Sequence, residues 1–197
     1  MNVKLISAAL AAGLLSAGPA LSSPVTLDFE GASSFAPVDG FYSALGVSFG
    51  GDALAISNDA AGPYYSNAPT PGTIMAPVGP AATMNAQYGF AGDASFYYSS
   101  DQAADVNVYS GLDGTGSVLA TFHLAANSQN GCSGPFCHWD VASVSFIGTA
   151  QSILFGAAAS AGIDNVSVNM VPLPAAVWLL LSGLGGIGTF LRRKRIA

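Results

Sequence analysis

The sequence predicts an all-β protein: a single β-sandwich domain flanked by an N-terminal signal peptide and a C-terminal transmembrane helix. Three observations predict it. Between the two ends the apolar residues show no helical period and instead form short alternating or apolar runs. Turn residues separate these runs; 24 Gly and 11 Pro among 197 residues are too many for long helices and suit frequent turns. The runs number about ten and recur at the short spacing typical of sandwiches.

Residues 1–22 read as a secretory signal peptide. Lys4 supplies the positive charge, residues 5–17 the apolar stretch, and small residues around Ala20 and Ser22 the cleavage site. The exported domain, residues 24–170, follows. Its strands are expected at 25–29, 47–49, 53–57, 73–76, 82–88, 94–99, 105–109, 118–124, 141–147, 152–155 and 163–168. Residues 110–116 form a hairpin connection, with Asp113-Gly114 as a good turn pair. The Pro/Gly-rich stretch 62–80 reads as a long surface excursion. The final segment, 171–197, holds Val171-Pro172-Leu173-Pro174-Ala175, an apolar run over 173–191, and then Arg192, Arg193, Lys194 and Arg195. As a helix the run would be roughly 28 Å long, close to the hydrocarbon core of about 30 Å. The four cations would stop transfer and stay in the cytoplasm.

Charge is distributed unevenly. All five basic residues lie in the two targeting segments and all eleven acids lie between them. A domain without Lys or Arg cannot neutralise phosphates, which excludes nucleic acid as a partner. Its stability must come from apolar burial and hydrogen bonding. Cys132 and Cys137, in an exported chain, are expected to form a disulfide that clamps one loop. Enzyme readings find little support. His123 alternates with apolar neighbours in a strand pattern, His138 stands beside the cysteines, and neither a nucleophile elbow nor a His-Glu-x-x-His pair occurs. No catalytic residue is assigned. Among the aromatics, Tyr64 and Tyr65 in the Pro/Gly stretch and Trp139 beside the cysteine loop are the candidates for an exposed ligand platform. Phe96, Tyr97 and Tyr98 must alternate between the two faces of a strand, so some of them are core.

Two resemblances add to this reading. The motif Val171 to Ala175, the apolar run and the Arg192–Arg195 cluster, in that order, resemble the PEP-CTERM class of sorting signals in its Val-Pro-Leu-Pro-Ala (VPLPA-CTERM) variant. The resemblance implies recognition by an exosortase, transient anchoring in the inner membrane, removal of the tail, and delivery to the cell surface or outside. A plain membrane anchor is the alternative. The domain's ends, Leu27-Asp28-Phe29-Glu30 and Gly162-Ile163-Asp164-Asn165, are similar to the galactose-binding-like jelly rolls found in many carbohydrate-binding modules. That likeness implies a jelly-roll-like sandwich whose first and last strands lie side by side. It also implies a structural Ca²⁺ held by Glu30 and Asp164, with Asp28 or Asn165 assisting, since calcium favours oxygen ligands. The functional expectation is an exported, non-enzymatic envelope or extracellular-matrix protein. The alternatives are a carbohydrate-binding module that retains matrix polysaccharide and a hydrolase.

Overall fold

The computed structural model describes residues 23–57 and 65–171. The signal peptide, Tyr64, the motif beyond Val171, the apolar run and the basic cluster lie outside the described residues. Among the described residues no helix is long and apolar enough to cross a membrane.

Ten strands form the domain: β1 (Ser23–Leu27), β2 (Ala36–Pro37), β3 (Val47–Phe49), β4 (Ala53–Ser57), β5 (Thr73–Pro77), β6 (Thr83–Ser100), β7 (Ala104–Tyr109), β8 (Val118–Leu124), β9 (Asp140–Leu154) and β10 (Ala161–Met170). They make one antiparallel sheet in the order β2-β4-β5-β10-β6-β9-β7-β8, with β1 added to β10 and β3 to β6. The sheet curls back over itself. β6 and β8 are three strand spacings apart in the hydrogen-bonding order, about 14 Å in a flat sheet, yet the rings of Phe96 in β6 and Phe122 in β8 have centroids 4.5 Å apart. The expected sandwich is therefore present, its two layers sharing the long strands. One main core fills it, with Phe29, Phe90, Phe96, Phe155 and Ile153 fully buried. The first and last strands do lie side by side, with Val25 opposite Val168 and Leu27 opposite Val166.

Two strand predictions differ from the structure in an informative way. The pairs 82–88/94–99 and 141–147/152–155 are each a single bent strand, β6 and β9. The breaks read from sequence are register slips along the β6–β9 ladder, between Asn85 and Phe90 and between Ala91 and Gly92. Gly89 sits at the first of these with φ +81°, where an added Cβ would lie 2.4 Å from Thr149 Cγ2. Glycine there permits the bend that carries the strand from one layer to the other. The stretch 62–80 is also no mere surface excursion. Its described part buries Tyr65, Ile74, Met75 and Ala76 and supplies β5. The hairpin at 110–116 is as expected. Asp113 takes φ +54° and exchanges two hydrogen bonds with Asn85, of 2.6 and 2.8 Å.

Candidate functional site

The acids expected to bind a cation lie around the point where the edge of β10 changes partner. β1 pairs with β10 as far as Val166, and β5 joins β10 at Ile163. Asp28 and Glu30 follow β1 as the chain leaves that edge, and Thr70 and Thr73 arrive ahead of and at the start of β5. Asp164 stands in the notch, fully buried. Its Oδ2 accepts the Thr70 N–H at 2.9 Å and its Oδ1 the Asn165 N–H at 2.7 Å. Glu30 Oε1 accepts the Thr73 N–H at 3.0 Å. Asp28 Oδ1 accepts the Glu30 N–H at 3.2 Å and the Tyr42 hydroxyl at 3.4 Å. The Tyr42 oxygen in turn accepts the Phe29 N–H. Asn165 adopts φ +50° at a slip in the β10–β6 register, and its Oδ1 accepts the Thr70 hydroxyl at 2.8 Å.

Burial dominates the electrostatics. Loss of water raises the Asp164 carboxyl to about 6; its two backbone N–H donors oppose that, and Glu30 and Asp28 add to it by like-charge repulsion. Burial, with Asp28 and Asp164 nearby, pushes the Tyr42 phenol well above its ordinary range. Glu30 and Asp28 therefore act on Asp164, but among the described residues no three His, Cys, Asp or Glu side chains converge as a group able to hold a metal. The donor chemistry still suits a hard cation. Every donor is a carboxylate oxygen, and a carboxylate has about four acceptor positions, of which one amide uses one.

The second assembly surrounds the disulfide. Cys132 and Cys137 are bonded, as expected, with Cα atoms 6.0 Å apart. The N–H groups of Cys137 and His138 both donate to the Ser128 carbonyl and close the loop. Asn67 Nδ2 donates to the Cys137 carbonyl at 3.0 Å and Trp139 Nε1 to the Ser66 carbonyl at 3.0 Å, so the cysteine loop and the 65–73 segment are locked together. Tyr65, Ile74, Ala76 and Phe136 form a small second core there, with Trp139 packed against it. This corrects the expectation for Tyr65. Only 6% exposed, with its ring 4.9 Å from that of Phe136, it is part of this core rather than an open platform. Its ring and that of Trp139 lie on the backbone of Gly162, where a Cβ would come within 2.7 and 2.9 Å of them. Trp139 is half-buried and keeps part of its surface in water. Tyr97, whose face the strand pattern alone left undecided, is 36% exposed. His123 is a strand residue of β8, hydrogen-bonded to Asp105 at 2.7 Å in an open, solvated pair. His138 contacts Asp140 at 3.1 Å.

No protein-family model and no curated protein matches the chain. Among solved structures it is similar to a family 6 carbohydrate-binding module (15% identity, TM-score 0.38, 61% of this chain and 95% of the module). It is also similar to a β-1,3-glucan-binding family 6 module from Bacillus halodurans (12%, 0.42, 63% and 89%). A third similarity is to the catalytic domain of a GH87 α-1,3-glucanase in complex with nigerose (11%, 0.41, 78% and 30%). At these values the likenesses assign neither ligand nor activity to this chain.

Proposed function

We propose that the chain is an exported, non-catalytic β-sandwich that holds extracellular polysaccharide, delivered by a sorting tail of the Val-Pro-Leu-Pro-Ala kind. The observation that carries the reading is Trp139. Its indole N–H is fixed to Ser66, its loop is clamped by the disulfide, and part of its surface stays open just ahead of β9. A rigid, partly wet aromatic is a low-entropy surface for the apolar face of a sugar ring. The solvation of His123 and Asp105, with side chains 78% and 63% exposed, favours binding over catalysis, because neither is held where water is excluded. The disulfide suits an oxidising compartment outside the cytoplasm. Glu30 and Asp164, with Asp28 assisting, would hold a structural Ca²⁺ that ties the two ends of the domain together.

The test is a glycan array probed with the exported protein. Retention on neutral glycans, lost in Trp139→Ala without a change in the far-ultraviolet circular dichroism spectrum, is the expected result. Absence of retention on every neutral glycan would return the protein to a purely structural matrix role.

A further inference from the structure

The outer face of β9, β6, β10 and β1 carries side chains that neither the core nor the acidic notch uses. Ala94, Phe96, Phe146, Val168 and Leu27 point into the sandwich and are buried. Strand alternation then turns their neighbours outward. The register sets Ser143 opposite Ser95, Ser95 opposite Ser167, and Ser167 opposite Thr26. Four hydroxyls thus stand abreast across four strands, a line of about 14 Å at the ordinary strand spacing. Thr26 donates to Ser167 Oγ at 3.4 Å.

The line has distinct flanks. Two residues along β6, on the side nearer Trp139, the partly exposed ring of Tyr97 is paired with Val141. On the other side Asp93 accepts the Ser145 hydroxyl at 2.6 Å. Between β6 and β10 the ladder slips twice, between Asp164 and Ser167 and again between Val168 and Met170. A cavity of about 70 Å³ opens at this part of the ladder, lined by Asp93, Ala94, Ser95, Ser167, Val168 and Asn169. A single water needs at least about 10–15 Å³ by such a measure. The cavity therefore has room for several waters or for a small polar substituent.

The chemistry of this face selects its ligand. Hydroxyls and an amide both donate and accept, as sugar hydroxyls do, and an aromatic beside them offers a surface for a ring's C–H face. Lys and Arg are wholly absent from residues 24–171, and Asp93 adds a negative charge, so uronic, sulfated and phosphorylated ligands are repelled. Among the described residues Ser143 and Thr26, at the two ends of the line, are both exposed, so a chain can cross it without terminating there.

We propose that this face is a binding site for the interior of a neutral polysaccharide chain laid across the four strands. Its hydroxyls pair with Ser143, Ser95, Ser167 and Thr26, one substituent enters the cavity, and one ring packs on Tyr97. The proposal rests on the carbohydrate-binding reading above and extends the surface that begins at Trp139.

The test is affinity electrophoresis of the exported protein through gels containing laminarin, hydroxyethyl cellulose or dextran, with alginate as the anionic counterpart. The expected result is retardation by at least one neutral glucan and none by alginate. Ser95→Val/Ser167→Val and, separately, Tyr97→Ala should each weaken that retardation at least tenfold. Reducing the glucan chain ends with borohydride should leave it unchanged. Should the double variant fail to fold, Thr26→Val at the edge of the line is the substitute, with at least a twofold loss expected. If the wild-type protein is retarded and these variants are retarded equally, this face is not the site, while the carbohydrate reading stands on Trp139. If no neutral glucan retards the wild-type protein, both are overturned.

Discussion

Replacing Asp164 with Asn removes one buried charge while keeping the shape of the side chain, and the notch geometry sets the size of the effect. The carboxyl ionises at about 6 in the folded protein, against 3.8 when exposed. A raised carboxyl pKa means that the folded state holds the proton more tightly than the unfolded chain does. The associated stability is therefore present at low pH and is lost as pH rises through 6. At about 1.4 kcal/mol per pH unit, the cation-free protein is less stable by about 3 kcal/mol at pH 7.5 than it would be with the group neutral. Asn carries no such charge. Its single carbonyl oxygen can accept only one of the N–H groups of Thr70 and Asn165, which costs about 1–3 kcal/mol. In EDTA the variant should therefore match or exceed the wild type at pH 7.5, by up to about 2 kcal/mol, and fall below it near pH 4. Urea unfolding at the two pH values measures this crossover. Calcium should reverse the picture for the wild type, because a cation favours the ionised carboxylate. A hundredfold excess over the dissociation constant would add about 2.7 kcal/mol at pH 7.5 to the wild type and little to the variant. A variant weaker by the same amount at both pH values would refute the charge argument. A wild type indifferent to both Ca²⁺ and EDTA would end the calcium proposal.

Three further outcomes are expected. Joint replacement of Cys132 and Cys137 by Ser should cost about 2 kcal/mol, since the closed loop is short, and should red-shift Trp139 fluorescence as the loop loosens; an unshifted spectrum would mean that the Asn67 and Ser66 contacts hold the loop unaided. Gly162→Ala should displace the rings of Tyr65 and Trp139 and destabilise the domain by about 1–3 kcal/mol, read as a lowered urea midpoint, whereas an unchanged midpoint would show that the second core can shift at little cost. Mass spectrometry of protein released from the cell surface should find no residues much beyond Ala175, and recovery of the intact Arg192–Arg195 region in all of it would mean a permanent anchor.

Parts of the candidate site were legible because single residues carried them. A cysteine pair five positions apart, in a chain read as exported, points to a disulfide, and the bond is present. Strand alternation alone said that Phe96, Tyr97 and Tyr98 could not share a face. Tyr65 differs from its sequence expectation for a physical reason: a Pro/Gly-rich stretch looks solvent-exposed locally, yet Phe136 and Trp139, more than seventy residues later, cover its ring. The hydroxyl line was invisible for a similar reason. Ser95, Ser143, Ser167 and Thr26 lie in four separate strands, and each is an unremarkable polar residue in its own segment.

By itself the sequence determined the all-β class, the position of most strands, the absence of any Lys or Arg between Lys4 and Arg192, and the disulfide. All of these follow from local period, composition or chemical identity. Only the tertiary structure decided which strands are continuous, which edge of β10 the two ends of the domain share, and which side chains stand abreast on its outer face. Those depend on register. A slip of one residue would turn Ser95 inward and Phe96 outward, and what sets the register is the closure of the curled sheet around Phe29, Phe96 and Phe155 rather than any residue's own preference.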